Sequence, residues 1–247
     1  MRAVQSVLAQ TYQNFEIVVV DDVGVSSDCV GMDPRIKYVQ IDRNRYVSHS
    51  RNVGLQNSSG ELIAFLDDDD IWASSKLSLQ IQMIKDPLVV MCCSNMFDVF
   101  DVSHWGTLCR EHFPWKHEMD GNLLNEAILR QFVWTSTVIT RKSIINALGG
   151  FYVHPDLTVG EDTDMWLRIA TTGNIYYGKV PLVERRIHPG NLTKDLYSTK
   201  EGRIKTYRAL RLCNERLLGM DIPALSKFYA WLQVWNNIIK IQKEQLI

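Results

Sequence analysis

The stretch from Gly60 to Trp72, Gly-Glu-Leu-Ile-Ala-Phe-Leu-Asp-Asp-Asp-Asp-Ile-Trp, leaves few folds open to the chain that contains it. A short apolar run, Leu62 to Leu66, lies between a glycine and four consecutive carboxylates, the pattern of a buried strand ending in an acidic turn. Ligands of open α/β sheets bind at such strand ends. Side chains two apart on an extended chain project to one side, so Asp67 and Asp69 can enter one space while Asp68 points away. Two converging carboxylates form a hard-oxygen site for Mg²⁺ or Mn²⁺ shared with substrate phosphates, which fits a nucleoside diphosphate. The competing reading, a solvated acidic turn, has to order four adjacent like charges without a counter-charge.

At 247 residues, with 46% hydrophobic and 22% charged side chains, the chain can build one large α/β domain or a domain with a helical appendage. A formal net charge of −1 gives no reason to expect nucleic acid as a partner. No apolar run approaches the ~18 residues of a membrane-spanning helix, and the N-terminus has no signal-peptide pattern, so a cytoplasmic protein is expected. Cys29, Cys92, Cys93, Cys109 and Cys213 are odd in number and lack C-x-x-C spacing, which reads as reduced, mostly buried thiols.

Along the chain, residues 2–10 place Ala3, Val4, Val7 and Leu8 on one helical face. Phe15 to Val20 reads as a strand ending at Asp21 and Asp22, a second acidic strand end that points to one ligand groove with the first. Ile36 to Ile41 reads as a strand, Ser48 to Ser59 as a helix carrying Arg51, and residues 74–85 as an amphipathic helix. Arg51 could contact a base or phosphate, or equally pair with an acidic neighbour. Leu88 to Met96 and Thr135 to Thr140 read as strands, and Gly149-Gly150 ends the helix that follows the second. Between them Trp105, Arg110, His112, Trp115, Lys116 and His117 mix aromatic and basic character, which allows an acceptor region or ordinary loop packing. Met165, Trp166, Ile169 and Ala170 form a helical stripe that puts Glu161 and Asp162 in a first turn, where helix capping alone accounts for them. Ile175 to Tyr177 and Leu182 to Ile187 read as strands leading to His188. Helices over residues 200–218 and 223–245 bring Phe228, Tyr229, Trp231 and Trp235, for packing first and a partner or membrane surface second.

Ser6 to Asp22, Val47 to Gly54 and Gly60 to Trp72 together resemble family 2 glycosyltransferases of the GT-A fold. The likeness covers about the first ninety residues and recurs downstream, which makes it far more specific than a lone Asp-x-Asp. It implies that Asp22 contacts the nucleotide base, that Asp67 meets the ribose or the metal, and that Asp69 binds the metal. Arg51 and Asp68 are grouped with the donor-binding residues. The Glu-Asp pair at 161–162 takes the place of the family's catalytic pair, which implies Asp162 as base and Glu161 as fallback. His188 stands where many GT-A enzymes carry a histidine that helps to hold the metal or diphosphate. One departure matters: family members begin with an apolar strand ending in Pro-Thr-Tyr-Asn or similar, whereas this chain starts at the following helix. A central strand is therefore expected to be missing, as in a truncated reading frame.

The resemblance implies a three-layer α/β/α fold with a mostly parallel central sheet. Residues 1–195 would form the GT-A domain, with a nucleotide-sugar half over about 1–96 and an acceptor half over about 97–195, followed by a helical appendage over 196–247. The expected reaction is metal-dependent, inverting transfer of a sugar from a nucleotide-diphosphate donor, by family analogy UDP-linked, to an acceptor hydroxyl in polysaccharide or glycoconjugate synthesis. Mn²⁺ or Mg²⁺ is the expected cofactor, and the acceptor a carbohydrate, a lipid-linked sugar or a protein. Oligomer or peripheral membrane contact would run through the C-terminal helices. The alternative is a GT-A-like binding module, or a fragment, without catalysis.

Overall fold

The computed structural model describes residues 1–22, 27–42, 46–102, 106–112, 117–188, 191, 196 and 198–246. Trp105, Trp115 and Lys116 of the aromatic and basic segment lie outside the described residues. Helix α1 (Arg2–Leu8) buries Ala3 and Val7. Strands β1 (Ile17–Asp21) and β2 (Ile36–Gln40) follow, then α2 (Val47–Asn57), β3 (Leu62–Ala64) and the two-residue β4 (Ile71–Trp72). After α3 (Lys76–Met83), the long β5 (Val89–Val102) folds back as β6 (Gly106–His112), and β7 (Met119–Gly121) leads into α4 (Leu124–Arg130). Strand β8 (Ile139–Arg141), α5 (Lys142–Ala147), α6 (Glu161–Ala170) and β9 (Asn174–Ile187) complete the sheet layer, and α7 (Lys200–Leu218) and α8 (Ala224–Leu246) close the chain.

The main sheet runs β3-β8-β5-β9-β4, with β6 added to β5 and β7 to β9, and it has a core on each face. Because side chains alternate along a strand, β5 sends Cys93 toward Leu124, Met165, Trp166, Cys213, Leu217 and Ala230, and Cys92 toward Val7, Trp72, Leu77 and Ile84. Helices thus cover both faces, the three-layer α/β/α arrangement expected from the resemblance.

Three expectations are corrected in detail. Parallel pairing joins β1 to β2 and β5 to β9, while the pairs β3–β8, β5–β8, β4–β9, β5–β6 and β7–β9 are antiparallel, so the sheet is mixed rather than mostly parallel. Thr135 to Thr140 is not one strand. Residues Thr135–Thr137 form a 3₁₀ turn, because the Thr137 amide and hydroxyl both donate to the Trp134 carbonyl and curl the chain before β8. The two strands expected at Ile175–Tyr177 and Leu182–Ile187 are one continuous β9.

Strands β1 and β2 form a separate two-stranded sheet. Residues Ile17 to Val20 are all apolar yet only half-buried, and among the described residues no strand pairs with the other edge of β1 or with the outer edge of β3. Ile17, Leu62 and Ala64 nonetheless pack on one core, and the Glu16 carboxylate accepts from the Ser59 and Gly60 amides just ahead of β3. Unpaired strand edges carry donors and acceptors that a further extended segment could satisfy.

Candidate active site

The carboxylates that follow β3 meet the first turn of α6 through one arginine. Arg51, on α2 and mostly buried, donates from Nη1 to Glu161 Oε1 at 2.6 Å and from Nη2 to Asp67 Oδ1 at 3.1 Å. Its guanidinium lies 5.5 Å from the Phe151 ring centroid. Burial alone would favour loss of its proton, but Asp67, Glu161 and Asp162 together outweigh burial and hold its pKa above the ordinary value. Burial raises the pKa of Glu161, and the neighbouring Asp162 adds to the effect while Arg51 opposes it. Asp67, whose side chain is still 46% exposed, is also raised, by partial burial against the counter-pull of Arg51 and then by Asp162 and Asp69. Arg51 thus pairs with two acidic neighbours.

Asn52, next in sequence, fixes where Arg51 sits. Its amide donates to the Phe151 carbonyl and accepts from the Phe151 amide, both at 2.8 Å. Gly150 has φ +78°, and a Cβ there would come within 2.7 Å of Asn52 Oδ1. Both the left-handed backbone and the close approach require glycine.

Asp162 is held differently from Glu161. Its Oδ2 accepts the Thr135 hydroxyl at 2.8 Å and its Oδ1 accepts the Thr163 amide at 2.7 Å, while the side chain stays half-buried. Gly160, at φ +80°, starts the helix, and a Cβ there would lie 3.5 Å from Ala209 Cβ on α7. The 3₁₀ turn that supplies Thr135 also supplies Ser136, whose hydroxyl accepts the Asp67 amide at 3.1 Å and bonds the buried Asp70. The Ser136 carbonyl accepts Trp72 Nε1 at 2.8 Å. One short turn therefore contacts both Asp162 and the acidic run. Burial pushes the Asp70 carboxyl up to about 7.

At the end of β9, Asp69 Oδ2 accepts Asn191 Nδ2 at 2.7 Å and lies 3.4 Å from His188 Nε2. Asp68 is exposed. Asp21 is buried and accepts the Tyr38 hydroxyl at 2.8 Å, while Asp22 follows on a bend, half-buried. Among the described residues no hydrogen bond or ion pair joins Asp22 to the cluster around Arg51. Sequence reasoning singled out Arg51, Asp67, Glu161, Asp162, Asp69 and His188, of which the structure ties Arg51 to Asp67 and Glu161 and sets Asp69 beside His188. It missed Asn52, Thr135, Ser136, Asp70 and Asn191, of which only the Thr-Ser-Thr run offered a signal, as three small hydroxyl residues together.

Among the described residues, no group of three or more His, Cys, Asp and Glu forms a ready metal cage. Of the three ligands expected, Asp69 and His188 approach each other, and Asp67 is engaged by Arg51 instead. A carboxylate with an imidazole is a donor pair that fits a divalent cation sharing its remaining positions with diphosphate oxygens.

Against known proteins, the glycosyl transferase family 2 profile matches residues 1–149. A UDP-Glc:α-D-GlcNAc-diphosphoundecaprenol β-1,3-glucosyltransferase of Escherichia coli is 31% identical over 180 residues, 70% of this chain and 65% of the relative. An uncharacterised glycosyltransferase of Rickettsia conorii is 28% identical over 184 residues, 71% of this chain but only 28% of the relative. The chain therefore spans less than two thirds of either relative. Staphylococcus aureus TarS, solved in complex with UDP-GlcNAc, superimposes with a TM-score of 0.72 at 17% identity, over 95% of this chain and 67% of that one, and so shares the fold. With a family match over more than half its length and a GT-A fold, the chain belongs to glycosyl transferase family 2.

Proposed function

We propose that this protein transfers a hexosyl unit from a UDP-sugar to an acceptor hydroxyl with inversion, in polysaccharide or glycoconjugate synthesis, and that Asp162 is the base. The observation that carries this reading is the unequal treatment of the catalytic pair. Glu161 is buried and tied to Arg51, whereas Asp162 is half-buried and, among the described residues, accepts from the Thr135 hydroxyl and from the amide and, at 3.5 Å, the hydroxyl of Thr163. Such a carboxylate keeps lone pairs to accept an acceptor proton as the oxygen attacks the anomeric carbon. A single displacement inverts the centre and needs no carboxylate nucleophile on the opposite face. Thr135 orients the base, and Arg51 keeps Glu161 and Asp67 from repelling it into the solvent.

Asp69 and His188 would hold Mn²⁺ or Mg²⁺, the imidazole favouring Mn²⁺, and the bound ion would neutralise charge on the departing diphosphate. Asp22 would meet the base of the nucleotide, with Asp67 and Asp68 on the donor side of the cleft. The E. coli relative's name supports a UDP-sugar donor and a sugar on a lipid diphosphate as acceptor. The test is to incubate the protein with UDP-glucose or UDP-GlcNAc, Mn²⁺ and a GlcNAc-diphospholipid, and to read the anomeric configuration of the product by NMR. A β-linked product from the α-linked donor is expected. An α-linked product would overturn the single displacement, and absence of UDP binding with or without Mn²⁺ would overturn the donor assignment.

A further inference from the structure

Helix α8 has two apolar faces, and the fold uses one of them. Ser226, Ala230, Val234, Asn237 and Ile241 recur at intervals of three and four and are buried, with α8 packed on α7 and α4. The opposite face carries Leu225, Phe228, Trp231, Trp235 and Ile239, each close to half exposed, from 45% at Ile239 to 54% at Leu225. At 1.5 Å per residue this row is about 21 Å long. Its rings meet in series, Phe228 and Trp231 stacked with centroids 6.5 Å apart, Trp231 and Trp235 edge-on at 6.0 Å. A continuous aromatic row left open to water marks a docking surface.

The charge distribution identifies the partner. A net charge of −1 conceals a segregation: residues 196–247 carry nine Lys and Arg against four Asp and Glu, while residues 1–195 carry 18 against 24. On α8 itself Lys227 and Lys243, both exposed, border the apolar row on its two sides, one toward each end. A symmetric pair of copies meeting through this face would set one basic hairpin against another. An anionic bilayer instead takes up both features, since indole rings favour the headgroup boundary and lysines reach the phosphates. We infer that the outer face of α8 docks on an anionic lipid surface, with Phe228, Trp231 and Trp235 in the headgroup–acyl boundary and Lys227 and Lys243 at headgroup level. The helix lies in the plane of the surface and does not cross it; no described helix is long and apolar enough to span a membrane. This docking is independent of which acceptor the cleft uses.

The test uses the full chain and vesicles of phosphatidylcholine, alone or mixed with phosphatidylglycerol. Co-sedimentation should be about tenfold or more stronger with the anionic vesicles and should weaken with added salt. Acyl chains brominated near the headgroup should quench tryptophan fluorescence of the unsubstituted protein, a readout that needs no variant. Replacing the rings together (F228S, W231S, W235S) should lower partitioning about tenfold or more. Exchanging the flanking charges (K227E, K243E) should lower it on anionic vesicles only, and UDP binding should be unchanged in both variants. Absence of vesicle binding or of quenching overturns the inference. So does equal partitioning of the ring variant, or a concentration-dependent dimer in sedimentation equilibrium that the ring substitutions dissolve while vesicles go unbound.

Discussion

In the cleft, Arg51 answers two carboxylates at 2.6 and 3.1 Å and is itself mostly buried, whereas in the last two helices cations outnumber anions and much of the charge, such as Lys205, Arg208 and Lys227, stands in water. Among the described residues one ion pair joins α6 to that basic hairpin, Arg216 Nε to the buried Asp164 Oδ1 at 2.7 Å. The contrast teaches where charge fixes structure. Buried pairs are expensive to break because the survivor keeps its desolvation cost, while exposed ones are screened and cheap. The cleft uses charge to hold carboxylates in register; the hairpin keeps charge available for a partner.

The comparison is broken most severely by removing the shared cation. Arg51→Met leaves Glu161 and Asp67 without their counter-charge and should destabilise the fold by about 3–5 kcal/mol in urea denaturation. Adding Glu161→Gln should recover part of that loss, and no recovery would mean that Arg51 acts by packing on Phe151 rather than by charge.

A cation buried without a carboxylate sharpens the same point. Lys76 is fully buried, has no hydrogen-bond partner for Nζ among the described residues, and sits 4.2 Å from the Trp72 ring centroid. Burial lowers its pKa from 10.5 to about 7. The unfolded chain therefore binds this proton more tightly between those values, so stability is greatest above the window and is lost as pH falls through about 7. Lys76→Met should stabilise the protein by about 1–3 kcal/mol at pH 7, and thermal melts should show the gain shrinking toward pH 10. A gain equal at both pH values would contradict the buried charge.

The smallest effect belongs to the hairpin. Arg203 holds Glu244 with Nε to Oε1 at 2.7 Å, but the arginine is 31% exposed. Arg203→Ala should leave the urea midpoint nearly unchanged, and change it still less in high salt. A loss as large as that of Arg51→Met would erase the distinction between the two regions.

Much of this was legible in the sequence because it rested on period and punctuation. The apolar run Leu62 to Leu66 bounded by Gly60 and four aspartates, the stripe Met165, Trp166, Ile169 and Ala170 of α6, and the helices over 200–218 and 223–245 are local patterns; the three helices appear where expected and the run holds the shorter β3. The partners of the carboxylates were not legible. Thr135 and Asp162 are 27 residues apart, and Arg51 and Glu161 are 110 apart, so no spacing rule links them. The turn at Thr135–Thr137 was read as part of a strand because β-branched residues favour strands, whereas their hydroxyls compete for backbone carbonyls and curl the chain. Strand direction was also hidden, because three-residue strands such as β3 and β8 carry too little sequence to fix their orientation.

The central claim is that the cleft separates two adjacent carboxylates into a tied one and a working one. Turnover should be compared in Asp162→Asn and Glu161→Gln, with UDP affinity measured on each. Asp162→Asn should lose about 10²–10⁴-fold in kcat with UDP affinity nearly intact, and Glu161→Gln should lose much less. Unchanged turnover in Asp162→Asn, or a larger loss in Glu161→Gln, would contradict the assignment.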